Sequence, residues 1–211
     1  MPQKLVVFRP NRNIWSTVEK VRQIIPASRR EVPIDIFDVI DLDMNLNLIP
    51  LRGLQDDLGA GASLSIDTNS IYIDLEVFDS DRDAGRRRAR FSAAVELGHY
   101  VLHKNILSKF PLLTEKDWRE YASQVFDPQE YDRLMYQANE FAGRLLVPRD
   151  DLLQAITNHC HSQISDPRFQ ALSEEDKANG LSRIRKLCDQ FQVNQDVIEI
   201  RLLREDILQN I

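Results

Sequence analysis

Long apolar runs are missing from this 211-residue chain. No stretch approaches the roughly 18 apolar residues that a membrane-spanning helix needs. Cysteine is almost missing too. Cys160 and Cys188 stand far apart and without metal-type spacing, which excludes a disulfide framework and a cysteine-based zinc module and points to a reducing compartment. An excess of positive charge is also lacking. With 27 Lys and Arg against 33 Asp and Glu, the formal net charge is −6, a sign that argues against broad binding to nucleic acid or anionic membranes. The N-terminal MPQKLVVFRPNRN holds an apolar run too short for a signal-peptide core. Together these absences predict a cytoplasmic protein with no membrane association. The remaining composition, 43% hydrophobic and 28% charged, is that of a globular chain able to bury one core with a small satellite.

Along the chain, residues 5–8 read as either a short strand or an irregular lead-in. Val18, Val21, Ile24 and Ile25 recur at helical intervals, with Ser16 and Glu19 placed as a capping box and Pro26 as the stop. Asp35 is positioned to cap a short helix over about 35–42, and Leu46, Leu48 and Pro50 suggest an extended piece. Gly59-Ala60-Gly61 predicts a turn or a tight backbone approach. In ASLSIDTNSIYIDLEVF (62–78), period-two alternation on both sides of Asp67–Ser70 predicts a hairpin whose second strand runs through Leu75. A long helix is expected from about Ala84 through Leu102, apolar around most of its girth and hence central. Some helical character is expected around Glu115–Val125. Pro128 opens a second long helix ending before Pro148, and a short helix follows over 150–156. Two further helical patterns, Ile184 to Phe191 and Val197 to Leu202, are joined by Gln192-Val193-Asn194 with helix-turn-helix spacing.

The segment carrying chemistry is FSAAVELGHYVLH, residues 91–103. Glu96-Leu97-Gly98-His99 supplies the last four positions of H-E-x-x-H, in which two histidines four apart share a helix face, converge on zinc and leave the glutamate as general base to a bound water. Val95 occupies the first histidine's place and has no lone pair to offer.

The flanking residues RRRARFSAAVELGHYVLH (86–103) and YQANEFAGRLLVP (136–148) resemble the ImmA/IrrE family of zinc-metallopeptidase-like proteins. That family shows R-R-F-T-x-A-H-E-L-G-H-x-L-L-H followed by E-A-N-x-F-A-A-x-L-L-M-P, and the likeness extends over roughly residues 16–205. It implies an α+β, zincin-like metallopeptidase fold: a small mixed or antiparallel sheet, two long central helices and a C-terminal helical subdomain. The expected division is a peptidase-type domain over 1–165 and a small helical unit over 166–211. By the resemblance, His99 falls on the second metal ligand and Glu96 on the catalytic base. Val95 falls on the first ligand and Gln137 on the third, normally a glutamate, so two of three ligands are replaced.

A lone imidazole has no chelate partner, so no cofactor is expected and the chain reads as a pseudoenzyme of the zinc endopeptidase class. Val95 and Gln137 are mutually consistent, since each makes an empty site easier to bury. The function expected is that of a protein-binding regulatory module. By family likeness its partner is a protein or peptide such as a helix-turn-helix regulator, in stress or mobile-element regulation. The alternative keeps an active, zinc-dependent endopeptidase with Glu96 as base and His99 and His103 as ligands, to which Glu140 could contribute. His159-Cys160-His161 is a second ligand-capable run, read as polar loop. Arg86, Arg87 and Arg88 mark a candidate partner-binding surface, with internal salt bridges as the alternative. A DNA-binding regulator using residues 182–205 is disfavoured by Asp196, Glu199, Glu205 and Asp206 against Arg201 and Arg204.

Overall fold

Pro10, extended at φ −59° and ψ 148°, opens the first helix, α1 (Asn11–Ile24). Residues 5–58, 60–65, 67–78, 83–109, 126–159 and 174–207 are described by the computed structural model. The expected start at Ser16 is corrected: Ser16 lies inside α1, and the Pro10 carbonyl accepts from the N–H groups of Asn13 and Ile14. Ile14, Val18 and Val21 are buried at i, i+4 and i+7, so the apolar phase already begins upstream of the serine. The end matches expectation, with Ile25 extended before Pro26. Residues 5–8 form no strand.

Asp35 caps the next element as predicted, its carboxylate accepting from Phe37 N (3.0 Å) and Asp38 N (3.3 Å). This helix, α2 (Ile36–Asp38), continues as a π-helical turn over Val39–Asp43. Strand β1 (Asn47–Leu51) follows, then a helical turn, α3 (Leu54–Leu58), that no sequence pattern announced. The hairpin is present as β2 (Ala62–Leu64) and β3 (Ser70–Asp74), paired antiparallel through Ala62↔Ile73 and Leu64↔Ile71. β1 runs parallel to β3, so the sheet is mixed, in the order β1-β3-β2. Leu75 does not continue β3. The buried Asp74 carboxylate accepts from Glu76 N and Val77 N, both at 3.0 Å, and from Gln55 N at 2.8 Å, and this cap starts α4 (Leu75–Phe78).

Helices α5 (Asp83–Leu107) and α6 (Pro128–Leu146) form the centre. Asp127 caps α6 by accepting from Glu130 N at 2.8 Å, with Pro128 in the first turn. The two helices touch closely at Gly98, where a Cβ would lie 2.9 Å from the Ala138 carbonyl oxygen and 3.1 Å from the Phe141 ring. Expectation around Glu115–Val125 falls outside the described residues. After α6 come α7 (Arg149–His159), α8 (Glu174–Phe191) and α9 (Gln195–Arg204). The α8–α9 turn passes through Gln192 at φ 52°. Leu187, Phe191, Val193, Ile198 and Leu202 from this helix pair join the same apolar core as Leu97 and Phe141.

Polar bonds fasten the pair as well. Arg87 Nη2 reaches Asp189 Oδ1 at 2.6 Å, while Arg90 donates to the Gln192 carbonyl (3.2 Å) and the Ile34 carbonyl (2.7 Å). Arg201, 1% exposed, pairs with Glu140 (3.0 Å) and with Glu205. Glu140 also accepts from Trp15 Nε1 at 2.6 Å, and Glu205 also pairs with Arg144. The result is a buried ion network tying α1, α6 and α9 together.

Candidate functional site

Helix periodicity places Glu96, His99 and His103 on one side of α5, where β2 and α6 meet it. Glu96 accepts a 2.8 Å hydrogen bond from Leu64 N on the edge strand β2. Its carboxylate therefore has a structural anchor on the sheet. His99 and His103 are both buried, at 7% and 1% exposure. Their Nδ1 atoms lie 3.2 Å apart, and His103 Nε2 lies 3.1 Å from Gln137 Oε1. Gln137, 1% exposed on α6, donates through Nε2 to the Val7 carbonyl at 2.9 Å. A hydrogen-bonded row thus crosses the site from His99 through His103 and Gln137 to the N-terminal segment. Val95 sits among apolar residues of the main core.

Burial dominates the electrostatics. It pulls the His99 pKa from near 6.5 down to about 3, helped by the neighbouring His103. It pulls His103 to about 4, against the hydrogen bond to Gln137 that favours protonation, with Arg9 adding to the depression. Both imidazoles are neutral at physiological pH.

Glu96 and His99 open on a cleft of about 110 Å³ whose walls include Ala62 and Leu64 of β2 and Phe126, Leu134 and Met135. Glu130, just beyond it, accepts from Leu5 N (2.6 Å) and Val6 N (3.1 Å), and Val6 packs on Phe126 and Leu134. Sequence reasoning missed Glu130 and the N-terminal segment, because partners more than 120 positions apart leave no local pattern. Arg201 did leave a signal, since it falls in phase with Val197 and Ile198 on a buried face.

Zinc does not fit this donor set. Two imidazole nitrogens on one tetrahedral zinc lie roughly 3.3 Å apart, so the His99–His103 spacing alone does not discriminate. The number of donors does. Gln137 has its amide committed to Val7 and His103, and the shifted position Glu140 faces away into the ion network with Trp15 and Arg201. Among the described residues no group of three His, Cys, Asp or Glu is placed to hold a metal. The side chains of His159, Cys160 and His161 fall outside that set.

The other predicted surfaces separate. Arg87 is engaged internally, Arg86 pairs with Asp83 at 2.6 Å, and Arg88 is exposed beside a groove that includes Asp56, Asp74 and Glu76. In α9 both arginines turn to Glu140, Arg201 as above and Arg204 at 3.8 Å while stacking over Tyr136. In α9, therefore, both arginines are engaged within the fold. No described helix is long and apolar enough to cross a membrane.

The sequence model of the IrrE N-terminal-like domain, the M78 peptidase family, matches residues 80–202, from just before α5 into α9. The chain belongs to this family. No curated protein matches it. As an ImmA/IrrE-type chain it keeps the two long helices, the small mixed sheet and the C-terminal helices of an α+β metallopeptidase-like fold. Its metal centre is degenerate: among the described residues no metal-holding cluster is present, Val95 packs in the apolar core and Gln137 is hydrogen-bonded to His103.

Proposed function

We propose that this chain is a metal-free pseudoenzyme of the ImmA/IrrE family that acts by holding a segment of a partner protein in the cleft beside β2. The observation carrying this reading is the row His99–His103–Gln137, in which the former ligand region is closed by its own hydrogen bonds. A neutral amide and a valine remove the charge that zinc would balance, so the region is stable as a buried, metal-free cluster. The cleft keeps an apolar wall and an edge strand that pairs only with β3 among the described residues, though the Leu64 N–H of that edge is already given to Glu96.

Metal analysis of the purified full-length chain tests this directly. The expected result is no stoichiometric zinc and no metal-dependent cleavage; one tightly held equivalent would defeat the proposal. The double substitution Val95→His with Gln137→Glu adds one donor on α5, four residues before His99, and one on the facing α6, and is expected to confer zinc binding measurable by the same method. An endopeptidase assembled from Glu96, His99 and His103 would instead show metal-dependent cleavage that Glu96→Gln abolishes.

A further inference from the structure

The row of hydrogen bonds has a direction, and chemistry fixes it from one end. A backbone carbonyl only accepts, so the Gln137 group facing Val7 is its NH₂, and Oε1 must face His103. An amide oxygen only accepts, so His103 carries its proton on Nε2. A neutral imidazole with Nε2–H leaves Nδ1 as a lone pair, and that lone pair can be met at 3.2 Å only by a proton on His99 Nδ1. His99 is then unprotonated at Nε2, the ring nitrogen outside the row, on a residue that lines the cleft. Every tautomer follows from the Val7 carbonyl.

We propose that the N-terminal segment sets the hydrogen-bonding polarity of the cleft: docked, it holds His99 Nε2 as a bare acceptor that selects a bound group donating N–H or O–H. The proposal rests on the peptide-holding reading above and adds its selectivity and its control. A carboxylate placed against His99 would set lone pair against lone pair, whereas an amide, ammonium or hydroxyl completes the row. The segment is held by Leu5 N and Val6 N donating to Glu130, by Gln137 donating to Val7, by Arg9 Nη2 donating to the Leu102 carbonyl (3.4 Å), and by Val6 against Phe126 and Leu134. The last two residues also line the cleft, so occupancy of the cleft and docking of the segment share a wall. Release of the segment frees the Gln137 amide to turn over. Its NH₂ then donates to His103 Nε2, His103 Nδ1–H donates to His99 Nδ1, and His99 presents Nε2–H to the cleft. The protons follow through water: His103 Nε2 gives its proton to solvent admitted by the released segment, the Nδ1 proton passes from His99 to His103, and His99 Nε2 takes a proton from water in the cleft. The site inverts with no net change of charge.

Long-range proton–nitrogen correlation spectra of the full-length protein, labelled at the ring nitrogens of its four histidines, read each tautomer directly. His159→Gln and His161→Gln assign two of the four rings, and through-bond correlation of each remaining ring to its own backbone amide separates His99 from His103. The expected wild-type result is His103 protonated at Nε2 and His99 at Nδ1, unchanged by chelator. His99 protonated at Nε2 overturns the proposal. Glu130→Ala removes the acceptor of two segment bonds and is expected to give mixed tautomers at both histidines. A folded Glu130→Ala protein with wild-type tautomers overturns control by the segment, and Glu130→Gln supplies the milder variant should the alanine not fold. A chelator-sensitive, metal-type shift would strike the metal-free reading instead, so the two failures are distinct.

Discussion

Val95 and Gln137 are single-residue departures, yet they decide what the neighbouring histidines are. With a metal present, His99 and His103 would be held neutral by coordination. Here burial does it, and the consequence is measurable as stability. In the unfolded chain each imidazole titrates near 6.5, while in the folded protein the values fall to about 3 and about 4. Between those limits the unfolded state binds more protons, so stability is full above pH 6.5 and declines as pH falls toward 4. At about 1.4 kcal/mol per pK unit, two such groups remove a large share of a marginal folding free energy. Denaturant midpoints are expected to drop steeply between pH 6.5 and 4, and the drop should shrink in His103→Asn relative to its own neutral-pH value. The incomplete H-E-x-x-H at Val95 was legible from sequence, because a motif position with the wrong donor is visible without coordinates. The direction of the resulting hydrogen bonds was not, since it originates at Val7, 130 positions from Gln137.

Among the elements, α5 and α6 position everything that matters, and their closeness depends on Gly98. A methyl group there would press on the Ala138 backbone carbonyl, which cannot move aside as a side chain can. Gly98→Ala is therefore expected to destabilise the fold by about 1–3 kcal/mol, an overpacking effect, measurable by chemical denaturation, and to lengthen the His103–Gln137 bond. Both long helices were readable in the sequence from their apolar girth and from Pro128 and Pro148. Where boundaries were missed, a local cap or a more distant phase prevailed. Asp74 stopped the alternation of β3 one residue short of Leu75 by accepting three backbone N–H groups, and Pro10 rather than Ser16 opened α1 because Ile14 belongs to the core.

For the whole molecule, the ion network around Arg201 is the joint between its two ends. Removing the cation would leave Glu140 to Trp15 and the more distant Arg204, and Glu205 to Arg144 and the half-exposed Arg149. Arg201→Leu is expected to lose about 3–5 kcal/mol in denaturant unfolding, far more than Arg86→Ala, whose exposed pair with Asp83 is worth roughly 0–1 kcal/mol. The sequence displayed Arg201 inside an apolar pattern, but its partners on α1 and α6 could be found only in three dimensions. The same joint orders events during synthesis. A nascent chain that has released α6 but not α9 carries Glu140 without the arginines that neutralise it, so that burial gains its compensation only once the second helix of the C-terminal pair has been made.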